Sequence, residues 1–539
     1  MAQSKALRPE WLPAVALSAV LAAAMLAWNP QVGDLAAQVF RTDLFQRTGL
    51  AIWNGSWYAG HYLLTYSVIF PPLASVLGPQ LVGALAVVAS SYFFDRLVRD
   101  RWGAAARWAT LWFAAGVVTL LADGQLTFAL GVAFGLASLR FLQLGHSKSA
   151  LAAAAGCALA SPVAAIFLAG VVLAGSLERG RSVSRVALGA AGLALALTAL
   201  PNIAFPESSQ FPFAFSSYIA IPLWCGGALY LTRGLAREER QLRWVLVGYV
   251  LSSTLLWLSP NPVGGNAVRL GALFGGPVLA AVVLAHRPRV SAWVLGLVMV
   301  GGLYWQVTAS VSQIARSASD PSTAPAYFHP VATWLLDHGA QGRRIEVPPT
   351  ADHWESVYLA PQFDLARGWL RQLDTTRDDI FYAEGPLTNR AYSGWLRHNA
   401  VSYVALPNAP LDYSSQAERR LILSAPSYLV PRWHSANWRL YSVRKPDPMV
   451  QSLGGSEAHT IWVGRQGFGL HVTRPGEFLI RVSYTPYWSI ERGAGCLLRR
   501  GDWTQVRASH PGVLRVAADF SLGGAWEALT GEKESCSKG

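Results

Sequence analysis

Long apolar runs separated by short polar loops fill the chain up to Ala309, and none follows it. WLPAVALSAVLAAAMLAW from Trp11, AAARWATLWFAAGVVTLLA from Ala104 and AWVLGLVMVGGLYWQVTA from Ala292 approach the ~20 residues that cross a hydrocarbon core. SALAAAAGCALASPVAAIFLAGVVLAG from Ser149 is interrupted by Pro162, which breaks a helix interior, and is predicted to be two half-helices in a hairpin. Leu35, Ala36, Val39, Phe40 and Leu44 recur at helical spacing before Gly49, predicting a surface helix on the outer leaflet. Pro71 and Pro72 forbid a straight span through Phe70, so that segment is expected to be re-entrant or interfacial.

Beyond Ala309 the periods shorten. WLLDHGAQGRRIEVP and WLRHNAVSYVALP read as one unit used twice, a helix and then a short strand (Ile345–Val347, Val401–Leu406), which argues for α/β structure. After Gly454 and Gly455 the pattern alternates: Phe478, Ile480, Val482 and Tyr484 share a face, as do Leu514, Val516, Ala518 and Phe520. That is the mark of an antiparallel β-sandwich or jelly roll, which would bind glycan or brace the rest. The predicted fold is a polytopic α-helical membrane domain (1–310, outer loop 29–79) of about ten spans plus the broken hairpin. An extracytoplasmic α/β domain (311–450) and a β-sandwich-like domain (451–539) follow.

Composition agrees: 52% of the 539 residues are hydrophobic and 14% charged, against roughly 25% charged in soluble domains. The first run exceeds a signal-peptide core and no cleavage region follows, so it is expected to be retained. The net charge of +13 sits largely in FDRLVRDR, around Arg140 and Lys148, in LERGRSVSR, in TRGLAREERQLR and in HRPR. Basic loops of this kind mark the cytoplasmic side. With no basic run of five and no aromatic-rich motif, nucleic acid is not an expected partner. The loop 29–79 and everything after the last span then fall outside the cytoplasm.

Candidate chemistry gathers in that outer loop. On a straight helix Asp34 and Asp43 point roughly 180° apart, so they form no pair, and Asp43 has Arg47 four residues on. Asp34 is open to two readings, an N-cap after Gly33 or a general base facing a cavity. Trp53, Trp57 and Tyr58 are either belt residues or a stacking wall for a sugar or lipid, and His61 is interfacial or functional. Arg269, following the Gly-rich SPNPVGGNAV, either snorkels to the interface or meets a phosphate with help from Asn266. HWE from His353 is weak as a ligand pair and suits a structural surface role. Cys157 and Cys225 lie in spans as packing residues, while Cys496 and Cys536 have the option of a bridge.

An acid just outside the first span, an amphipathic helix, W-x-x-x-W-x-x-G and a YSVIFPPL stretch together resemble the GT-C superfamily of bacterial integral-membrane glycosyltransferases. The resemblance covers the membrane half. It implies a polyprenyl-phosphate-linked sugar as donor, an envelope glycan as acceptor, membrane lipids as surroundings, Asp34 as catalytic base and Asp43 as second choice. No D-x-D occurs in the loop, so no cofactor is implied with certainty and a divalent metal stays open. The competing class is a lipid or polysaccharide transporter, or a non-catalytic envelope scaffold. Against the transporter, the spans carry almost no charge at mid-depth.

Overall fold

The computed structural model describes residues 11–176, 184–235 and 239–531. They form two compact units, Met1–Gln46 with Tyr66–Leu200 and Gln210–Ala318, and Arg47–Thr65 with Pro201–Ser209 and Ser319–Gly539. The predicted boundary near 310 moves to Ala318. The predicted outer loop is divided, because its 47–65 portion folds with the C-terminal half.

The first unit is helical. Its elements are α1 (Leu12–Trp28), α2 (Gly33–Thr48), α3 (Phe70–Leu77), α4 (Pro79–Trp102), α5 (Arg107–Gly116), α6 (Thr119–Ala122) and α7 (Leu126–Gln143). There follow α8 (Ser147–Ala160), α9 (Pro162–Ser176), α10 (Arg185–Ala204), α11 (Phe215–Tyr218), α12 (Ala220–Leu231) and α13 (Arg240–Leu258). α14 (Val268–Leu270), α15 (Gly276–His286) and α16 (Ala292–Ala318) complete it.

Among the described residues, six helical stretches are long and apolar enough to cross a membrane, or seven if α1 and α2, bent by 78°, count as one. The chain is thus read as a multi-pass membrane protein. The count of about ten spans is not reached by this measure. One 44-residue stretch, Pro79–Ala122, doubles back on itself. A Cβ on Gly83 would strike Leu121, and the Phe94 ring stacks on Phe113 at 3.9 Å.

The break at Pro162 makes a hairpin. Near its start, Ser138 Oγ in α7 donates to the Ala150 carbonyl. At its apex Ser161 lies against Gly131, and at its end Gly175 packs on Gln241, which Arg101 also holds. At the break the Leu159 carbonyl accepts from the Val68 and Ile69 amides at 2.8 and 3.3 Å. Irregular backbone at membrane depth needs such internal partners.

The basic segments gather at one end of the helices. Arg99 pairs with Asp95 (2.8 Å), Arg140 with Asp100, and both Arg101 and His286 with Glu239 (3.0 Å each). Trp102 Nε1 donates to the same Glu239 at 2.7 Å. Four of the five basic segments therefore share an end. Leu177 to Val183 of the fifth lie outside the described residues. Pro71 and Pro72 occupy the first turn of the short α3, where a missing amide costs little.

One prediction fails here. α2 is not a leaflet helix, because Leu35, Ala36, Ala37, Gln38, Phe40, Thr42 and Leu44 are all buried in protein. Its residues are too evenly enclosed for one face to rest on lipid.

The second unit opens with a two-stranded hairpin, β1 (Trp53–Asn54) and β2 (His61–Tyr62). Its α/β part holds β3 (Arg344–Glu346), β4 (Asp364–Leu365), β5 (Val401–Pro407), β6 (Leu429–His434) and β7 (Trp438–Val443) in the order β4-β3-β5-β7-β6. Around the sheet lie α17 (Pro325–Asp337), α18 (Glu355–Tyr358), α19 (Arg371–Arg377), α20 (Asn389–His398) and α21 (Gln416–Leu423). The repeated phrase is structural: α17 leads into β3, α20 leads into β5, and the two strands are parallel neighbours.

Eight strands, β8 (Val450–Leu453), β9 (Glu457–Gly464), β10 (Gly467–Arg474), β11 (Gly476–Ser483), β12 (Trp488–Arg492), β13 (Gly495–Arg500), β14 (Trp503–Ala508) and β15 (Gly512–Ala518), form two four-stranded antiparallel sheets. Their orders are β12-β15-β10-β9 and β13-β14-β11-β8. Phe478, Ile480, Val482, Leu514, Val516 and Ala518 all enter the core as predicted, while Phe520 lies past the strand end and is exposed. Arg344, fully buried, ties the α/β sheet to the sandwich by donating to Asp364 and to the Arg481 carbonyl.

Candidate functional site

At the end of the helices away from the basic cluster, two distant segments bring opposite charges together. α2 begins at Gly33, so Asp34 sits inside its first turn and is not the N-cap. A carboxylate there is favoured by the aligned amides of the helix start. Its Oδ2 lies 3.8 Å from Arg269 Nη2, and the side chains keep 31% and 22% of their surface. The two residues, 235 positions apart in sequence, thus meet where both still reach solvent.

Sequence reasoning missed a third member. Asp123 is in the short turn between α6 and α7, which contains no Lys or Arg. Burial pushes its carboxyl up to about 6. Ser310 and Arg269 pull the other way, and the Asp34 charge adds to the rise. Its Oδ1 is buried without a hydrogen-bond partner among the described residues. The adjoining Gly124 (φ +72°) explains how the turn comes so close, since a Cβ there would lie 2.3 Å from the Leu35 nitrogen and 2.9 Å from the Asp34 carbonyl carbon. A signal was present in the sequence: an Asp-Gly pair at the non-basic end of a span.

Arg269 is held by an irregular stretch. Asn261 Oδ1 accepts from the Val263 and Gly264 amides, and Gly264 (φ +45°) would meet the Phe211 carbonyl oxygen at 2.0 Å if it bore a Cβ. Gly271–Gly275 is π-helical, and Tyr249 bridges the irregularity by donating to Ala267 O and accepting from Gly271 N. Such bulges are frequent at functional sites. The Arg269 guanidinium also lies 5.3 Å over the Phe128 ring. Asn266 is buried three residues before it. An arginine held this way, beside two carboxylates and open to solvent, suits an exchangeable anion better than a snorkelling role.

The remaining predicted residues go elsewhere. Asp43, nine positions along the continuous α2, is on the face opposite Asp34. Trp53, Trp57, Tyr58 and His61 belong to the second unit and are buried in it, so they are not a membrane belt. Trp53 packs edge-on against Tyr62 and Trp488 in the sandwich core. Trp57 stacks on His61 at 5.6 Å, and the Tyr58 hydroxyl donates to the Gly368 carbonyl at 2.7 Å. Neither Trp57 nor His61 can act as a stacking wall from inside a core.

HWE is likewise not on the surface. His353 and Glu355 are 8% and 2% exposed, and His353 stands 3.4 Å from Glu355 and 3.6 Å from Asp412. These carboxylates outweigh burial and hold the imidazole up at about 9. Arg371 grips Asp412 through two bonds of 2.8 and 2.6 Å.

Deeper in the same unit, Arg367 bonds Asp374 twice (3.0 and 2.6 Å) and Glu418 at 3.4 Å, with Glu346 at 4.0 Å. Burial drives the Glu346 and Glu418 carboxyls up, although Arg367 opposes it. This is a sealed structural network.

Cys157 and Cys225 are free and buried as expected. Cys496 is disulfide-bonded, and Cys536, a candidate partner for it, lies outside the described residues. Among the described residues no group of three His, Cys, Asp or Glu side chains is arranged to hold a metal ion. No protein-family model matches the chain, and no curated protein matches it.

Proposed function

We propose that the chain is a membrane glycosyltransferase moving a sugar from a polyprenyl-phosphate donor to an envelope acceptor at the extracytoplasmic face of the bacterial inner membrane. The observation that carries this reading is the Asp34–Arg269 contact at 3.8 Å, partly exposed, with Asp123 beside it. The gathering of basic segments at the opposite end supports the sidedness. The disulfide at Cys496 supports an oxidising compartment for the C-terminal region.

Arg269 exchanges partners as the donor arrives. The donor's phosphodiester monoanion offers two equivalent oxygens to the guanidinium fork, a better partner than a carboxylate 3.8 Å away, so the donor draws Arg269 from Asp34. Asp34 then takes the proton of the acceptor hydroxyl. That oxygen attacks the anomeric carbon from the side opposite the leaving group, the glycosidic bond to phosphate breaks, and the configuration inverts. Arg269 neutralises the departing lipid phosphate, which is where negative charge develops. Asp123 keeps negative charge near Arg269 between turnovers and limits where the guanidinium can swing.

Native mass spectrometry of the purified protein tests the donor site. The wild type is expected to carry a polyprenyl-phosphate sugar whose mass names the headgroup, and Arg269→Gln to lose it. Equal lipid occupancy in both proteins contradicts the role of Arg269.

A further inference from the structure

The second unit forms a half-open cavity of about 850 Å³ whose wall draws on the hairpin, the 201–209 segment, the α/β part and the sandwich. This is within the range of roughly 300–1,000 Å³ that small-molecule sites occupy. Three polar atoms of wall residues are buried and lack a hydrogen-bond partner among the described residues: the indole Nε1 of Trp53 and of Trp503, and Oδ2 of Asp378. Asp378 is 3% exposed, and its other oxygen accepts from Trp395 Nε1 at 2.8 Å. Buried polar atoms left unpaired are rare in folded proteins and call for an explanation.

The chemistry of the wall narrows the ligand. The two indoles donate, and the Asp378 carboxyl, held up by burial, can donate or accept, so a hydroxyl-rich ligand has a partner for each of the three unpaired groups. Arg377 is occupied by Glu207 at 2.6 Å and by the Tyr58 and Gly60 carbonyls. Burial holds the Glu207 and Asp378 carboxyls up, while Asp502 and Glu527 offset Arg377 and Arg499, so the wall offers an anion no excess positive charge. A purely apolar ligand would bury these charges without replacing their water. Tyr484, whose hydroxyl is tied to Glu527 at 2.7 Å, joins Trp503 in giving the wall aromatic surface for the C–H face of a sugar ring.

We propose that this cavity binds a neutral saccharide several rings long. The proposal stands apart from the transfer chemistry, since it would hold for a scaffold as well.

Full-length protein in detergent is titrated with maltotriose, chitotriose and mannotriose, and separately with inorganic phosphate, by calorimetry and saturation-transfer NMR. Tyr484→Leu, which removes the aromatic face, and Asp502→Asn are the variants. Asp502 keeps 74% of its side-chain surface, so folding should survive, and an unchanged Tm confirms it. At least one trisaccharide is expected to bind with Kd on the order of 1 mM or tighter, weakened about tenfold in each variant and not displaced by phosphate. Failure of all three to bind, displacement by phosphate, or unaltered affinity in variants of unchanged Tm each overturns it.

Discussion

Arg367 and Arg269 each face more than one carboxylate, and the difference between their settings separates structure from chemistry. Arg367 has no exposed surface and bonds Asp374 through two nitrogens, with Glu418 and Ser414 completing its shell. Arg269 keeps 22% of its side-chain surface and approaches Asp34 only to 3.8 Å, longer than a hydrogen bond. A sealed, saturated pair is costly to disturb and has nothing to offer a ligand. A loose pair at a solvent-reachable helix start gives up its partner cheaply, which is what a site for an incoming anion requires.

The sharpest way to break this comparison is to remove the sealed cation. Arg367→Met leaves Asp374, Glu418 and Glu346 uncompensated and should destabilise the second unit by about 3–5 kcal/mol, read from denaturant unfolding. A loss below about 1 kcal/mol would mean the network is not structural. Next comes Gly124→Ala. Its added methyl meets backbone at the first turn of α2 and must occupy positive φ, so about 1–3 kcal/mol should be lost together with most transfer activity. Wild-type activity in Gly124→Ala would show that the turn does not position Asp34.

The buried carboxyls of the second unit make a prediction about pH. Burial raises Glu207 to about 7 and Asp364 to about 6, with Arg377 and Arg344 respectively opposing it. Glu346 and Glu418 move in the same direction. A folded value above the ordinary one means stability that is full below the ordinary carboxyl range and lost as pH rises through 6 to 7. His353, raised to about 9, loses its share at still higher pH. Hydrogen exchange of β3, β5 and α21 should therefore be slower, after correction for intrinsic rate, at about pH 5 than at about pH 8. The reverse order would reject the raised values. The smallest effect is expected from Asp43→Asn, on the far face of α2: about 1 kcal/mol or less, with turnover unchanged.

The sequence made some of this legible, and the reasons differ from residue to residue. Pro162 announces the hairpin because a proline's effect is local. Alternation places Phe478 through Val482 and Leu514 through Ala518 in the sandwich core because a strand's period does not depend on distant partners. Counting ends of spans puts Asp34 and Arg269 on one side of the membrane, but their approach to 3.8 Å depends on packing that no local pattern discloses. Asp123 stayed hidden because one acid in a three-residue turn has no pattern, and its meaning comes from the Gly124 contact with α2. The capture of Trp53, Trp57, Tyr58 and His61 by the second unit was hidden for a like reason. Their partners, Trp488 and Gly368, lie more than 300 positions away. His353 and Glu355 looked like surface residues because nothing nearby in sequence discloses Asp412.

Turnover by purified Asp34→Asn, with donor lipid occupancy and Tm recorded on the same sample, bears most directly on the claim that the exposed pair is the reactive one. Loss of transfer by about 10²–10⁴-fold with lipid still bound and Tm unchanged is the expected result. Undiminished turnover would contradict it, and so would a fall in Tm large enough to make Asp34 a structural residue like those around Arg367.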